Sequence, residues 1–412
     1  VSVDPLLVDT AGRLLGDVCS FAAVEAAEAD GWADAVWRPL ADAGFAWIGL
    51  PEAAGGSGGT LADACAVLRA AGARAAPVPL AETAVLAGWL LAASGLALPD
   101  GPLSTGPLSG GAVADGPGAT GPVPDGALPT ASLPGGAVAD GTLPGGPGLA
   151  GPLPAGSVPT VIASGDGTLT GTLYRVPWGR AVARVVTLVG RDDGSWAVAA
   201  FDPAGPGLRV EPATNLAGEP RDSLHLAGAR PEVLAPAGPG VTPWALELRG
   251  ALTRAQLMAG ALEAMSRLTV AYTDDRRQFG QPVSRFQAVQ AHLVHGAQDA
   301  ALALMAAEVA ARQASRAVEA GEGPDRAWLE IASARVVAGE AAVTATRSAH
   351  QAHGAMGMTR EYPLHHLSRR LWAWSREWGP TARWRARLGQ AAHRAGADRL
   401  YPTITAGTPG LG

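Results

Sequence analysis

The sequence predicts an α+β protein in three parts: a helical N-terminal domain over residues 1–100, a small antiparallel β-domain over 161–243, and a C-terminal helical bundle over 244–412. Three observations predict it. Apolar residues recur at helical spacing through "AVWRPLADAGFAWIGL" and "LADACAVLRAAGARAA" in the first hundred residues. Runs rich in β-branched residues, "TLTGTLYRV", "RVVTLVG" and "SWAVAAFD", follow between residues 160 and 240. After "GVTPWALELRG" the helical period returns and persists to about residue 396.

The elements follow in order. Two N-terminal helices flank the glycine-rich stretch "PEAAGGSGGT" (51–60). No strand leads into it and no lysine follows, so it reads as a plain loop and not as a phosphate cradle. Residues 101–160 form a Pro/Gly-rich segment without basic or aromatic residues, in which "LSGGAVADG" and "LPGGAVADG" nearly repeat. It carries too little apolar area to offset its ordering entropy, so a flexible surface excursion without chemistry is expected. In the β-domain, Asp193-Gly194 between two β-rich runs signals a hairpin turn. The bundle is expected as four or five helices over 251–275, 284–316, 325–352, 363–377 and 380–395. The first carries an apolar stripe through Leu252, Leu257, Leu262, Met265 and Leu268.

Composition excludes several function classes. A net charge of −6 argues against general affinity for nucleic acid or anionic lipid. No apolar run is long enough to span a membrane, and the N-terminal residues lack a secretory pattern, so a cytoplasmic protein is expected. Cys19 and Cys65 lie in helical pattern and read as small buried hydrophobes, not as disulfide or metal partners. All basic residues are arginine, which rules out Schiff-base chemistry on lysine. His350, His353, His365 and His366 cluster in sequence, but no cysteine or carboxylate stands at ligand spacing. They read as solvated or helix-capping, and no metal is expected.

Three stretches carry a family resemblance. "AYTDDRRQFGQPVSRFQAVQ" (271–290), "HQAHGAMGMTREYPLHHLSRR" (350–370) and, more weakly, "ADAGFAWIGLPEAAGGSGG" (41–59) resemble segments of the acyl-CoA dehydrogenases. The similarity spans nearly the whole chain outside 101–160. It implies an acyl-CoA dehydrogenase-like fold with FAD between β-domain and bundle, reaching a neighbouring subunit in a dimer or tetramer. The substrate implied is an acyl-CoA thioester, and the electron acceptor an electron-transfer flavoprotein or a similar partner. By the resemblance, Arg276, Gln278 and Phe279 contact a neighbour's FAD, with Gln287 nearby. Gln351, Gly354 and Ala355 cradle its pyrophosphate side, and Arg254 lies near the substrate. These side chains suit such roles: Arg276 offers a forked cation for phosphate, and a glycine at 354 permits close backbone approach. Read without the family, Arg276 and Arg277 would simply pair with Asp274 and Asp275.

The resemblance also implies a glutamate base that removes the α-proton of the thioester, at one of two positions. At the first, on the opening helix of the bundle, this chain has Thr253. At the second, alignment from Glu361-Tyr362-Pro363 places Trp378, with Glu377 one residue earlier. Glu377 is the only acidic residue between Glu361 and Asp398, a stretch with seven arginines and four tryptophans. On a helix through 367–378, Leu367, Leu371, Trp374 and Trp378 share a face, and Glu377 lies roughly 90° from its centre. If the helix ends near Ser375, the loop turns Glu377 into the cavity as the base; if it continues, Glu377 pairs with an arginine. The family's flavin-ring motifs are absent from the middle domain. Trp178 in "YRVPWGR" is either a stacking surface for the ring or a β-domain residue.

Three functions remain open on this reading. One is an FAD-dependent acyl-CoA dehydrogenase with Glu377 as base. Another is a non-catalytic partner subunit of a heteromeric dehydrogenase. The last is a flavin-dependent oxidase or hydroxylase on the same fold.

Overall fold

The protein is described here from a computed structural model, which describes residues 3–108, 160–396, 398, 399, 401 and 402. Five helices open the chain: α1 (Pro5–Val18), α2 (Phe21–Asp30), α3 (Asp34–Asp42), α4 (Leu61–Ala73) and α5 (Trp89–Ala93). Local chemistry sets their ends. Asp4 caps α1 ahead of a first-turn proline, Gly31 closes α2 in the left-handed region, and Thr60 with Asp63 forms a capping box on α4. A wide π-helical segment, Ala81–Gly88, runs directly into α5. Such segments are rare outside functional regions, and this one carries Glu82 into the interior at 2% exposure.

The middle of the chain is a sheet of eight strands: β1 (Leu103–Ser104), β2 (Val161–Ala163), β3 (Leu169–Pro177), β4 (Arg184–Arg191), β5 (Trp196–Phe201), β6 (Leu208–Glu211), β7 (Arg221–Ala229) and β8 (Val233–Pro236). Its order is β6-β7-β3-β2-β4-β5-β8, with β1 added to β4. Pairing is antiparallel except where β1 and β2 run parallel to β4. The expected hairpin is present: β4 and β5 pair from Val185 with Phe201 to Gly190 with Trp196, across a turn where Gly194 has φ 80°. The start of the expected excursion is not an excursion. Leu103, Ser104 and Thr105 are fully buried, because β1 covers one end of β4. The rest of that segment, 109–159, lies outside the described residues.

The C-terminal part holds α6 (Pro243–Asp275), α7 (Gln287–Glu319), α8 (Trp328–His353), α9 (Leu364–Trp374) and α10 (Thr381–Ala395). Helix α6 begins eight residues earlier than its apolar stripe suggested, since Thr242 caps it and Pro243 supplies the first turn. It is the central helix, packed by α4, α7, α8 and α9, so residues 248–262 are buried on every side. The stripe from Leu252 to Met265 faces one large core shared with the N-terminal helices. Full enclosure also forces Arg249, Thr253, Arg254 and Gln256 to find partners inside the protein. Between α6 and α7, the short strands β9 (Arg277–Gln278) and β10 (Gln281–Pro282) form a hairpin.

Candidate functional site: an open cofactor cleft and a closed chamber

The hairpin between α6 and α7 turns on Phe279 and Gly280, with φ 51° and 81°. Positive φ at both turn residues is the geometry of the tightest hairpin loops and is disfavoured for a phenylalanine. The turn holds Phe279 at its tip, 91% exposed and edge-on to Phe286 at 6.0 Å. Beneath it lies a cleft of about 360 Å3, whose rim includes Arg276, Gln278, Phe279, Gln351, His353, Gly354 and Ala355. The two sequence segments are thus brought together. Gln287 opens α7 just beyond the cleft lining. Among the described residues, neither Arg276 nor Arg277 has a carboxylate within salt-bridge distance, so pairing with Asp274 or Asp275 does not occupy them.

Of the two expected roles, solvated or helix-capping, His353 at 3% exposure in the last turn of α8 fits the second. Its Nδ1 lies 2.8 Å from the Ala349 carbonyl, its ring stacks on Tyr272 at 4.4 Å, and its Nε2 has no protein partner. The half-buried His350 likewise leaves Nδ1 unpartnered. Burial lowers both imidazole pKa values. Gly354 has φ 60° and open space where a Cβ would stand, so backbone is exposed to a ligand there. Unsatisfied buried nitrogens, an unpaired arginine and an exposed aromatic fit the adenine and pyrophosphate part of FAD.

The other candidate region starts at the end of α9. That helix stops at Trp374, and the next residues turn inward. Arg335 on α8 fixes the turn: its Nη2 lies 3.3, 2.6, 3.2 and 2.9 Å from the carbonyls of Trp374, Ser375, Glu377 and Gly379. Fully buried without a carboxylate partner, Arg335 has its pKa lowered by burial to about 10. Trp384 Nε1 donates to the Trp378 carbonyl at 3.0 Å. The helix therefore ends where the inward alternative required, and Glu377 faces the interior.

There the carboxylate meets two cations. Glu377 Oε1 accepts from Arg221 Nε at 2.7 Å and Asn215 Nδ2 at 3.2 Å, while Oε2 accepts from Arg254 Nε at 2.7 Å. Burial alone would raise its pKa, but the two guanidinium charges and the hydrogen bonds from Arg221 and Asn215 outweigh it, leaving the pKa at about 2. A base for C–H abstraction needs a pKa shifted the other way, toward neutrality. Arg254, expected near substrate, spends Nε on Glu377 and Nη2 on Glu82 at 2.6 Å. The chain of alternating charges continues: Arg221 reaches Glu219 at 2.9 Å, Glu219 reaches Arg370 at 3.1 Å, and Arg370 reaches Glu28 at 3.2 Å. It joins the N-terminal helices, the sheet and the bundle.

Among the described residues, the space beside Arg221 and Arg254 is small. The space lined by Glu82, Trp178, Arg221, Arg254, Leu257 and Trp374 measures about 10 Å3, room for one water at most. Trp178, a candidate flavin-stacking surface, is 4% exposed with the Arg221 guanidinium over its ring at 4.9 Å. At the two positions where the family resemblance places a base stand Thr253, whose hydroxyl donates to the Gly250 carbonyl at 2.8 Å, and Trp378, 4% exposed. The Trp378 indole lies so close to α6 that a Cβ on Gly250 would sit 2.0 Å from it.

Glu28, Asn215, Glu219, Arg221 and Arg335 were not singled out from sequence, and no motif marks them. Glu82 left a signal: it is the only charged residue between Arg74 and Asp100, in an otherwise apolar helical run.

Residues 5–96 match the acyl-CoA dehydrogenase N-terminal domain family, and residues 244–391 match the acyl-CoA dehydrogenase C-terminal domain family. Acyl-CoA dehydrogenase FadE27 of Mycobacterium tuberculosis is 29% identical over 332 residues, covering 80% of each chain. Among solved structures, a chain of the ChsE4-ChsE5 complex from Mycobacterium tuberculosis superposes with TM-score 0.73 at 23% identity, over 95% of this chain and 97% of that one. A variant of the Tcur3481-Tcur3483 steroid ACAD superposes with TM-score 0.71 at 25% identity, over 93% and 96%.

Proposed function

This chain belongs to the acyl-CoA dehydrogenase family of FAD-dependent oxidoreductases, and within it we propose that the chain is the partner subunit of a heteromeric dehydrogenase. It lends one side of an FAD cradle to another chain's active site, while its own acyl-CoA chamber is closed. The observation that carries this reading is the state of Glu377. The one carboxylate near the family's base position is held by Arg221 Nε and Arg254 Nε, each at 2.7 Å, and the space on the other side of those two arginines is about 10 Å3.

The division of work follows from the chemistry. FAD, when bound, accepts the β-hydride of the acyl group. The catalytic chain would provide the carboxylate that takes the α-proton and the chamber that holds the thioester. From this chain, Arg276 and Gln278 would bind and orient the phosphates, and Gln351 with the Gly354–Ala355 backbone would close over the pyrophosphate. Phe279 would cover the adenine and exclude water, and Gln287 would hold the α7 end of the same surface. Two fold neighbours are named as pairs, ChsE4-ChsE5 and Tcur3481-Tcur3483, which supports a two-chain assembly. The second is called a steroid ACAD, and a ring-bearing acyl-CoA is the substrate class we assign to the assembly. Electrons would pass on to an electron-transfer flavoprotein or a similar acceptor.

The competing reading makes Glu377 the base of a homomeric enzyme; its inward position favours that reading, and the two arginines oppose it. Affinity-tagged chain recovered from its native host separates the two. A second, different acyl-CoA dehydrogenase chain at equal stoichiometry, with yellow flavin lost when the chains are parted, is the expected result. A homo-oligomer carrying one flavin per chain, bleached anaerobically by an acyl-CoA and silenced by Glu377→Gln, would overturn the proposal.

A further inference from the structure

Beside the Glu28 end of the charge chain, two histidines and a glutamate converge from α2 and α9. Glu25, His365 and His366 each place one ligand atom within 4.8 Å of the others. Sequence spacing hid this set, because the carboxylate arrives from α2, some 340 residues away in the chain. We infer that Glu25, His365 and His366 form a binding site for a divalent transition metal of the zinc type, clamping α2 to α9.

The surroundings of the imidazoles carry the inference. His365 Nδ1 lies 2.9 Å from the Tyr362 carbonyl, and His366 Nδ1 lies 3.3 Å from Glu28 Oε1. A backbone carbonyl behind one ring and a carboxylate behind the other are the outer partners that metal-bound histidines ordinarily have. Both Nδ1 atoms thus act as donors, leaving the Nε2 lone pairs for coordination. The ring centroids are 3.9 Å apart, closer than the roughly 5 Å of two imidazoles on one tetrahedral ion, so binding would part the rings slightly. Phe21 stacks flat on His366 at 5.8 Å and fixes that ring from the side.

Tetrahedral ligation at zinc distances needs donor atoms about 3.3 Å apart. The three donor atoms here lie within 4.8 Å of one another, so binding would draw them together, and Glu25 is exposed. Two nitrogens and one oxygen leave a fourth position for water, as in zinc sites with three protein ligands. The neighbouring cations do not repel the metal unopposed, since Glu28 faces Arg369 at 2.5 Å and Arg370 at 3.2 Å, and Arg370 also faces Glu219. The site lies outside the FAD cleft, so its test is independent of the partner-subunit reading.

The experiment uses the full chain stripped of metal by chelation and dialysis. Zinc is titrated against a chromophoric chelator, and cobalt(II) is added separately to read the visible d–d bands of a tetrahedral site. Expected are one zinc per chain, cobalt bands characteristic of mixed N/O donors, and a higher Tm with zinc present. Glu25→Gln and His365→Ala, both at accessible positions, should each weaken zinc at least about tenfold and abolish the Tm rise. Zinc affinity and Tm rise unchanged in both variants, or no zinc retained in competition with the chelator by the folded wild type, would overturn the inference.

Discussion

Replacing Glu377 by Gln asks whether its carboxylate is a structural anion. Its pKa falls from 4.5 to about 2 on folding. At about 1.4 kcal/mol per unit, that depression corresponds to roughly 3 kcal/mol of stability. Removing one partner of a buried ion pair costs about 3–5 kcal/mol, because the cations left behind lose their counter-charge. The two routes agree, so Glu377→Gln should lower unfolding stability at pH 7 by about 3 kcal/mol. The sign in pH follows from the depressed pKa. The carboxylate's contribution is complete above the unfolded value near 4.5 and is lost as pH falls toward the folded value near 2. By pH 3 the gap between wild type and variant should have narrowed by about 2 kcal/mol. Urea unfolding of both proteins, followed by tryptophan fluorescence between pH 7 and pH 3, measures this directly. Comparing the two proteins cancels the parallel acid titration of Glu28, whose pKa is also held at about 2 by His366, Arg369 and Arg370 against the effect of burial. A variant as stable as wild type at pH 7, or a gap that stays constant with pH, would refute the ion-pair reasoning.

Other perturbations bear on the same architecture. Gly250→Ala should destabilise by about 1–3 kcal/mol, since the new Cβ meets the Trp378 indole; a double-mutant cycle with Trp378→Ala, read by denaturant midpoints, should show strong coupling. Arg335→Met removes the donor that gathers four carbonyls, and limited proteolysis should then cut between residues 375 and 380 faster while α8 stays intact. Arg276→Ala and Phe279→Ala, both exposed, should leave this chain's Tm unchanged yet each raise the FAD dissociation constant of the flavin-bearing assembly about tenfold, measured by flavin fluorescence. Cys19 and Cys65, whose thiol pKa values burial pushes up to about 11 and about 12, should resist a disulfide reagent at pH 8 until the chain unfolds.

The architecture was legible where periodicity and turn chemistry agree. The stripe along α6 and the Asp193-Gly194 hairpin each rest on local pattern, and both stand in the fold. Strand β1 was not legible, because two residues in a Pro/Gly-rich stretch carry no period; only the exposed edge of β4 makes them a strand. The cleft beneath Phe279 was legible as a pair of family-like segments, 271–290 and 350–370, whose residues meet along its lining. The interior charges were not. Arg221, Glu219 and Glu28 sit on three different elements, and nothing in a linear reading says that their side chains meet. The carboxylates beside the histidine cluster were not legible for the same reason: Glu25 and Glu28 come from another helix.

On the partner-subunit proposal a chamber without a substrate has to be filled, and the physics restricts how. A catalytic pocket is lined by polar groups from several elements, and those groups cannot be left dry and unpaired once water is excluded. Trp378 packs against α6, and Gly250 gives it room by lacking a Cβ that would stand 2.0 Å from the indole. The charges are met by alternation: Glu82, Arg254, Glu377, Arg221, Glu219, Arg370 and Glu28 follow one another with opposite sign at each step. Breaking a link strands a charge, and each of the five inner members is held by its two neighbours. The price is reactivity: a carboxylate pinned between two arginines is stabilised as the anion and is correspondingly weak as a base. Stability and base strength at residue 377 therefore oppose each other, and this chain has the arrangement that serves stability. The exposed hairpin tip at Phe279 shows the reverse choice, with a strained aromatic left in solvent where only a bound partner or cofactor would cover it.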